Sequence, residues 1–107
     1  MTCCILTDTN TGMNSIKMSE LFARWLSALR DNAGRAHIVT RINRARKGNW
    51  GDCRPLGGGL NEMRVHYGPG YRLYYTRKGE TVYFLLIGGD KSSQEKDIAR
   101  ARMLMEE

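Results

Sequence analysis

Two stretches of alternating polar and apolar residues flank the tripeptide Gly68-Pro69-Gly70, and they constrain the fold of this chain more than any other feature. Residues 62–67 and residues 71–75 both show the period of two that is typical of β-strands with one buried face. Glycine and proline at the junction indicate a tight turn. The pattern therefore predicts an antiparallel β-hairpin.

The hairpin has a predicted register in which Tyr67 pairs with Tyr71, and this register sorts the side chains onto two faces. A slip of one residue in either strand would mix the two sets and bury an arginine. The apolar face, which we expect to belong to the core, carries Met63, Val65, Tyr67, Tyr71, Leu73 and Tyr75.

The opposite face of the hairpin combines groups that bind phosphate, move protons and stack on bases. The register places His66 opposite Arg72 on this face. Arg64 then lies opposite Tyr74, and Glu62 stands at the end of the face. A solvated outer sheet face has the same composition, so the residues alone leave both interpretations open.

Five further elements accompany the hairpin. Apolar residues at helical spacing predict helices at 20–30 and at about 33–47, joined by a short link as a helical hairpin. A short strand at 14–18 precedes them, and the continuous apolar run 82–87 predicts a strand that is buried on both faces. A Ser-Ser-Gln-Glu capping-box pattern predicts a last helix that starts near Ser92.

Positive charge is concentrated in the middle of the chain. The protein has 17 Lys and Arg against 11 Asp and Glu, a net charge of +6, and most of the excess lies in residues 35–54. A focused positive field attracts a polyanion such as nucleic acid. A charged helix face that is merely solvated is the commoner case, and composition does not decide between the two.

Cysteine spacing and hydropathy exclude several classes of protein. Cys3, Cys4 and Cys53 have neither metal-ligand spacing nor the even number of a disulfide framework, and His37 and His66 do not complete a metal site. No run of residues is long enough for a transmembrane helix or for the core of a signal peptide. We therefore expect a cytoplasmic protein that contacts no membrane and uses no metal or cofactor.

The first residues differ from the rest of the chain. Residues 1–13 are polar and Thr-rich without periodicity, and we expect them to form a disordered leader. Met13 offers an alternative start of translation. The length of 107 residues fits one domain, which we assign to residues 14–107.

Four sequence motifs occur in an order that is found in a known superfamily. They are Phe22-Ala23-Arg24-Trp25-Leu26, Gly48-Asn49-Trp50-Gly51-Asp52, the hairpin segment 62–75 and Gly88-Gly89-Asp90-Lys91-Ser92-Ser93-Gln94. With these motifs the chain resembles, over about residues 14–103, the toxins of type II toxin–antitoxin modules in the RelE/ParE superfamily. It looks closest to the HigB-like branch of addiction-module killer proteins, which also occur in phage-derived regions.

The resemblance implies an α+β fold in which an antiparallel sheet of four or five strands packs on an N-terminal helical hairpin, with a C-terminal helix. It implies an endoribonuclease that cleaves messenger RNA on the ribosome without a metal, inhibits translation and arrests growth. It also implies a cognate antitoxin, expected to be a helix-turn-helix protein encoded adjacently. The toxin would contact operator DNA only through this antitoxin.

Basic site residues carry over from the resemblance one by one. The arginine of the Gly-Tyr-Arg motif corresponds to Arg72, and the basic residue of the preceding strand corresponds to Arg64. The basic residue after the last strand corresponds to Lys91. We expect these three to stabilise negative charge on phosphate. The residues expected to hold ribosomal RNA are Arg41, Arg44 and Lys47 of the second helix.

The proton-transfer residues are assigned only from the sheet face on which they lie and from their side-chain chemistry. Glu62 and His66 are the candidate bases, and Tyr74 is a candidate acid or a residue that stacks on a nucleotide. In RelE itself an aromatic residue near the C-terminus serves the chemistry. This sequence departs from that pattern, because no Tyr or Phe follows Phe84.

Two other functions stay open at this level. ParE-like members of the superfamily bind and poison DNA gyrase, so the fold by itself does not define the activity. A non-enzymatic regulator that binds nucleic acid is the third interpretation. Mapping of RNA ends after expression, compared with a supercoiling assay, separates the first two.

Overall fold

The computed structural model describes residues 15–68, 70–88 and 93–106. Its elements are, in order, β1 Ser15–Met18, α1 Glu20–Ala28, α2 Asn32–Arg46, β2 Cys53–Gly57, β3 Leu60–Val65, β4 Tyr71–Lys78, β5 Thr81–Gly88 and α3 Gln94–Met105. The strands form one sheet in the order β1-β5-β4-β3-β2. The predicted leader at 1–13 lies outside the described residues. None of the described helices is long and apolar enough to cross a membrane.

The sheet confirms the predicted α+β class and corrects it at one edge. The pairs β2–β3, β3–β4 and β4–β5 are antiparallel, as expected. The strand β1 pairs with β5 in parallel, so the sheet is mixed rather than wholly antiparallel. Parallel neighbours need a long crossover, and here α1, α2 and the other three strands all lie between β1 and β5 in the chain.

The edge strand β2 is absent from the sequence-based prediction. It contains Pro55 and ends at Gly57, and both residue types are depleted in strands but tolerated at a sheet edge. Gly58 and Gly59, with φ angles of 65° and 89°, form the two-residue turn into β3. Glycine adopts this conformation without strain, and a Gly-Gly pair between two strands is a hairpin signal. The clue was therefore present in the sequence.

The β3–β4 hairpin has the predicted faces but a register that is two residues away from the predicted one. Val65, and not Tyr67, pairs with Tyr71. The reason is that β3 ends at Val65, where the chain turns at once: the Tyr67 N–H donates to the Val65 carbonyl at 2.9 Å. A shift of two residues leaves the side chains within β3 and β4 on their predicted faces, and Arg64 now lies opposite Arg72.

The helical hairpin of α1 and α2 covers one face of the sheet, as predicted. Leu29 takes an extended backbone, so α1 ends at Ala28, two residues before its predicted end. Ser19 caps α1 by accepting a hydrogen bond from the Phe22 N–H at 3.0 Å. The buried residues of this layer include Phe22, Ile38, Ile42, Ala45, Met63, Val65, Leu73, Tyr75, Val82 and Phe84.

Helix α3 covers part of the other face, which the sequence left open as solvated or functional. A register shift between β4 and β5 at Tyr74 lets both Leu85 and Leu86 pack on this side. Ala101 of α3 is fully buried against them. The helix therefore makes a second small core and removes the middle of the polar face from solvent.

The start of α3 differs from the predicted capping box. The helix begins at Gln94, after an N-cap at Ser93 whose side chain makes no capping hydrogen bond. The Ser93 hydroxyl donates instead to Asp97 at 2.7 Å. Ser92, the predicted cap, lies outside the described residues. The helix itself is thus confirmed, and its capping is not.

Candidate anion-binding site

Three arginines surround one buried carboxylate on the α3 side of the sheet. The Nε atoms of Arg54, Arg64 and Arg72 lie 3.1, 3.3 and 3.7 Å from the carboxylate oxygens of Glu62. Gln94, at the start of α3, donates to the same carboxylate at 2.8 Å. These five residues are called the arginine cluster below.

Strand geometry brings the arginine cluster together. Glu62 and Arg64 are two residues apart on β3, so their side chains lie on the same face. Arg54 of β2 pairs with Glu62, and Arg72 of β4 pairs with Arg64. The predicted faces of the hairpin contain three of the five members. Arg54 could not be predicted without β2, and Gln94 depends on the docking of α3.

The carboxylate of the arginine cluster is ionised, and the cluster carries an excess of positive charge. Burial by itself raises the pKa of the Glu62 carboxyl, but hydrogen bonds from Gln94 and Arg64 and the charge of Arg54 outweigh it, so the pKa is lowered. The carboxylate therefore neutralises one of three guanidinium charges. The remaining two positive charges favour an anion at this position.

A small cleft opens beside the arginine cluster, where β3 ends and β4 begins. Its volume is about 100 Å³, and its lining consists of Arg64, Val65, His66, Gly70, Tyr71 and Arg72. The buried Nε of Arg72 has no hydrogen-bond partner among the described residues. A cleft of this size, with two guanidinium groups and an imidazole in its wall, can hold a group such as phosphate.

An imidazole–carboxylate pair lies at the mouth of this cleft. His66 follows the last residue of β3 and is exposed, so it does not lie on the strand face where the sequence placed it. Its Nε2 bonds to a side-chain oxygen of Asp52. The Asp52 carbonyl in turn accepts from the Arg64 N–H at 2.9 Å. Asp52 was not predicted as a site residue, although it closes a motif that carries the resemblance.

Comparison with known proteins identifies the family. The chain matches, over residues 24–106, the family described as phage-derived protein Gp49-like (DUF891). It belongs to this family. The Gp49-like proteins are a family of RelE/ParE-like toxins. The chain is also 41% identical over 92 residues to an uncharacterised protein of Haemophilus influenzae. The matched region covers 86% of this chain and 93% of that protein.

A solved structure supports the same fold for this Gp49-like chain. The chain is similar to a structure described as a chromosomal ParDE TA system from P. aeruginosa, with a TM-score of 0.60 and 19% identity. The match covers 75% of this chain and 99% of that chain. At this identity the likeness shows the fold, and it confirms the predicted RelE/ParE-like architecture.

Two predicted proton-transfer residues of the Gp49-like chain are buried. Neither Glu62 nor Tyr74 has any exposed surface, because α3 packs over them. Burial raises the pKa of the Tyr74 hydroxyl, and the negative charges of Glu62 and Asp97 raise it further. Tyr74 therefore cannot stack on a nucleotide unless α3 moves away. Glu62, ionised and bonded on all sides, lacks the access that a base requires.

The basic residues predicted on α2 have different environments. Arg41 lies half-buried against the end of the sheet, and it holds the segment that leads into β2. Its guanidinium donates to the carbonyls of Trp50, Asp52 and Arg64. These bonds give Arg41 a structural role that the charge pattern alone did not reveal. Arg44 and Lys47 are exposed.

The remaining expectations concern Lys91 and metals. Lys91 lies outside the described residues, so its assignment to phosphate stays a prediction. Within the described parts of the Gp49-like chain, no group of three or more His, Cys, Asp or Glu side chains could hold a metal ion.

Proposed function

We propose that this protein is the toxin of a toxin–antitoxin pair and that it cleaves RNA at the cleft lined by Arg64, His66 and Arg72. One observation carries the proposal: an imidazole held by Asp52 stands beside two guanidinium groups in a cleft of phosphate size. Cleavage of RNA by its own 2′-hydroxyl requires a base, positive charge at the phosphate and an acid for the leaving oxygen. The cleft combines these groups.

His66 is the proposed proton-transfer residue. With Nε2 carrying the hydrogen that Asp52 accepts, Nδ1 keeps its lone pair and takes the proton of the 2′-hydroxyl. The 2′-oxygen then bonds to phosphorus while the bond from phosphorus to the 5′-oxygen breaks. The products are a 2′,3′-cyclic phosphate and a 5′-hydroxyl, whose proton comes from the imidazolium.

Arg64 and Arg72 are the proposed electrostatic catalysts. Their guanidinium groups stabilise the negative charge that builds up on the phosphoryl oxygens in the transition state. Glu62 acts on them as a positioning residue, because its buried carboxylate holds their Nε atoms on one side. Lys91 is expected to join them.

The sequence motifs support a finer proposal for the identity of the toxin. We place it in the HigB-like branch, with messenger RNA on the ribosome as substrate and inhibition of translation as the outcome. Exposed Lys47 would hold ribosomal RNA, and exposed Arg44 on the same helix would also contact RNA. The toxin family and the fold shared with a ParDE TA system support a cognate antitoxin, which we expect to be a helix-turn-helix protein encoded next to this chain.

Sequencing of RNA 5′ ends after induction in bacteria tests the activity. The wild-type protein should arrest growth and create new RNA ends, and His66→Ala should reduce their formation roughly a hundredfold or more. Asp52→Asn should reduce it as well and change its pH profile, since the tautomer of His66 is no longer held. Arg24→Ala, which removes an exposed arginine on α1, is the control that keeps full activity.

Two results would contradict this function. A His66→Ala protein that cuts RNA like the wild type would remove the imidazole from the mechanism. Growth arrest with unchanged RNA ends and altered DNA supercoiling would instead favour a toxin that acts by binding gyrase, the second candidate, which the fold shared with the ParDE system supports.

A further inference from the structure

A second depression lies on helix α2, and the proposed chemistry does not use it. Its volume is about 300 Å³, and its lining consists of Ala36, His37, Thr40, Arg41 and Arg44. This depression is called the α2 groove. The exposed ring of His37 also stacks on Tyr67, with ring centroids 4.2 Å apart and planes inclined by 20°.

Two contacts link the α2 groove to the cleft. Arg41, in the wall of the groove, donates to the carbonyl of Arg64, which lines the cleft. Tyr67, which supports the His37 ring, directly follows His66 in the chain. An extended strand of RNA with its phosphate in the cleft would therefore meet the groove with a neighbouring nucleotide.

The chemistry of the α2 groove suits a nucleotide. A planar ring that already stacks on a second ring is held in one orientation, so a base can stack on it with little loss of conformational freedom. The exposed guanidinium of Arg44 stands in the same groove and can pair with a phosphate. The positive charge of the groove argues for RNA as its occupant.

We propose that the α2 groove binds a nucleotide of single-stranded RNA adjacent to the phosphate in the cleft, with its base stacked on His37 and its phosphate paired with Arg44. The proposal rests on the proposed RNA substrate, but it does not require that the protein cleave RNA. Under this proposal His37 is a binding residue, although it lies outside the four sequence motifs that carry the family resemblance.

Binding of a labelled 2′-O-methyl RNA decamer of mixed sequence to the full-length protein tests this site. The methyl groups remove the nucleophile, so that the anisotropy signal reports affinity without chemistry. His37→Ala should weaken binding about tenfold, the loss expected for one stacked base, and His37→Phe should restore it. Arg44→Ala should weaken binding several-fold, and more so at low salt.

Two matched variants serve as controls. Val39→Ala shortens an exposed side chain of the same helix outside the groove, and Arg24→Ala removes an exposed arginine from α1. Both should bind like the wild type. Thermal unfolding of all variants establishes that they are folded, since every substituted side chain is exposed.

The outcomes separate this site from the catalytic proposal. Equal affinities for His37→Ala and Val39→Ala, or no binding by the wild-type protein, would overturn the groove. The proposal would also be overturned if His37→Ala bound the RNA decamer like the wild type but bound the antitoxin more weakly. The groove would then be a docking site for protein. The catalytic proposal fails independently if His66→Ala still cuts RNA. In that case the affinities for the decamer still show whether the α2 groove binds a nucleotide.

Discussion

At the scale of residues, one buried carboxylate organises the cationic site. Three guanidinium groups on neighbouring strands repel one another, and Glu62 offsets this repulsion from within the sheet. A buried carboxylate is stable only when it is paired and hydrogen-bonded. The arginines therefore keep Glu62 ionised, and Glu62 keeps the arginines in place.

Arg72 provides the sharpest test of the site. Arg72→Ala should lower RNA cleavage by about a hundredfold or more and abolish growth arrest, because a charge that stabilises the transition state is lost. Arg72→Lys should recover only part of the activity, since it keeps the charge but not the planar fork. Cleavage rates measure the activity of both variants, and circular dichroism checks that they are folded. Full toxicity of Arg72→Ala would disprove the assignment.

Glu62 should make the stability of the protein depend on pH. Its pKa is lower in the folded than in the unfolded chain, so the ionised carboxylate stabilises the fold above its ordinary pKa of about 4.5. That stabilisation is lost as the pH falls through the lowered value. Glu62→Gln should be less stable at pH 7 and should lose less stability on acidification.

Urea unfolding between pH 7 and pH 2 measures this difference. Glu20→Gln is the matched control, because the side chain of Glu20 is 85% exposed and should contribute little. Parallel stability curves for the wild type and Glu62→Gln would show that the carboxylate does not stabilise the folded state.

At the scale of elements, the capping side chains of α1 and α2 also form hydrogen bonds to the sheet. Asp31 accepts a hydrogen bond from the Gly34 N–H at 2.9 Å and another from the Tyr71 hydroxyl of β4 at 3.0 Å. Ser19 likewise caps α1 and donates to the Leu85 carbonyl of β5 at 2.6 Å. Each cap thus defines where a helix starts and where it docks.

Asp31→Ala should destabilise the fold by about 2 kcal/mol, roughly half from the lost cap and half from the Tyr71 hydroxyl left without its acceptor. Asp31→Asn keeps a capping oxygen and should cost less. Asn32→Ala, at the neighbouring exposed position, should stay within about 0.5 kcal/mol of the wild type. Urea unfolding measures all three, and equal stabilities for Asp31→Ala and Asn32→Ala would contradict the dual role.

At the scale of the whole molecule, the sheet lies between two helical layers and its open end carries the site. The helical hairpin covers one face and α3 covers part of the other. The uncovered region, where β3 ends and β4 begins, holds the cleft, and Arg41 of the α2 groove donates to the carbonyl of Arg64 in the cleft wall. Four arginines, Arg41, Arg44, Arg64 and Arg72, line these two depressions.

The salt dependence of RNA binding should report this arrangement. With Arg44, Arg64 and Arg72 as phosphate contacts, the slope of log affinity against log salt should be about −2, and Arg44→Ala should reduce its magnitude by about 0.7. Arg24→Ala should leave the slope unchanged. Anisotropy titrations across a range of salt concentrations measure it, and a slope near zero would rule out phosphate contacts.

Local pattern is sufficient for much of this architecture. A period of two or of 3.6 residues depends only on neighbouring positions, so the helices, the buried strand β5 and the faces of the β3–β4 hairpin follow from it. For the same reason Glu62, Arg64 and Arg72 could be assigned to one face. The error of two residues in the register did not disturb this result, because the strand period is also two.

Contacts between distant residues decide the rest. The docking of α3 turns Glu62 and Tyr74 from surface groups into buried ones, and no local period encodes which strand a helix will cover. The pairing of Asp52 with His66 spans 14 positions, and Arg41 holds the segment that carries Asp52 by donating to the carbonyls of Trp50 and Asp52. Sequence pattern thus places the arginines together, whereas tertiary packing selects which of their neighbours can still reach a substrate.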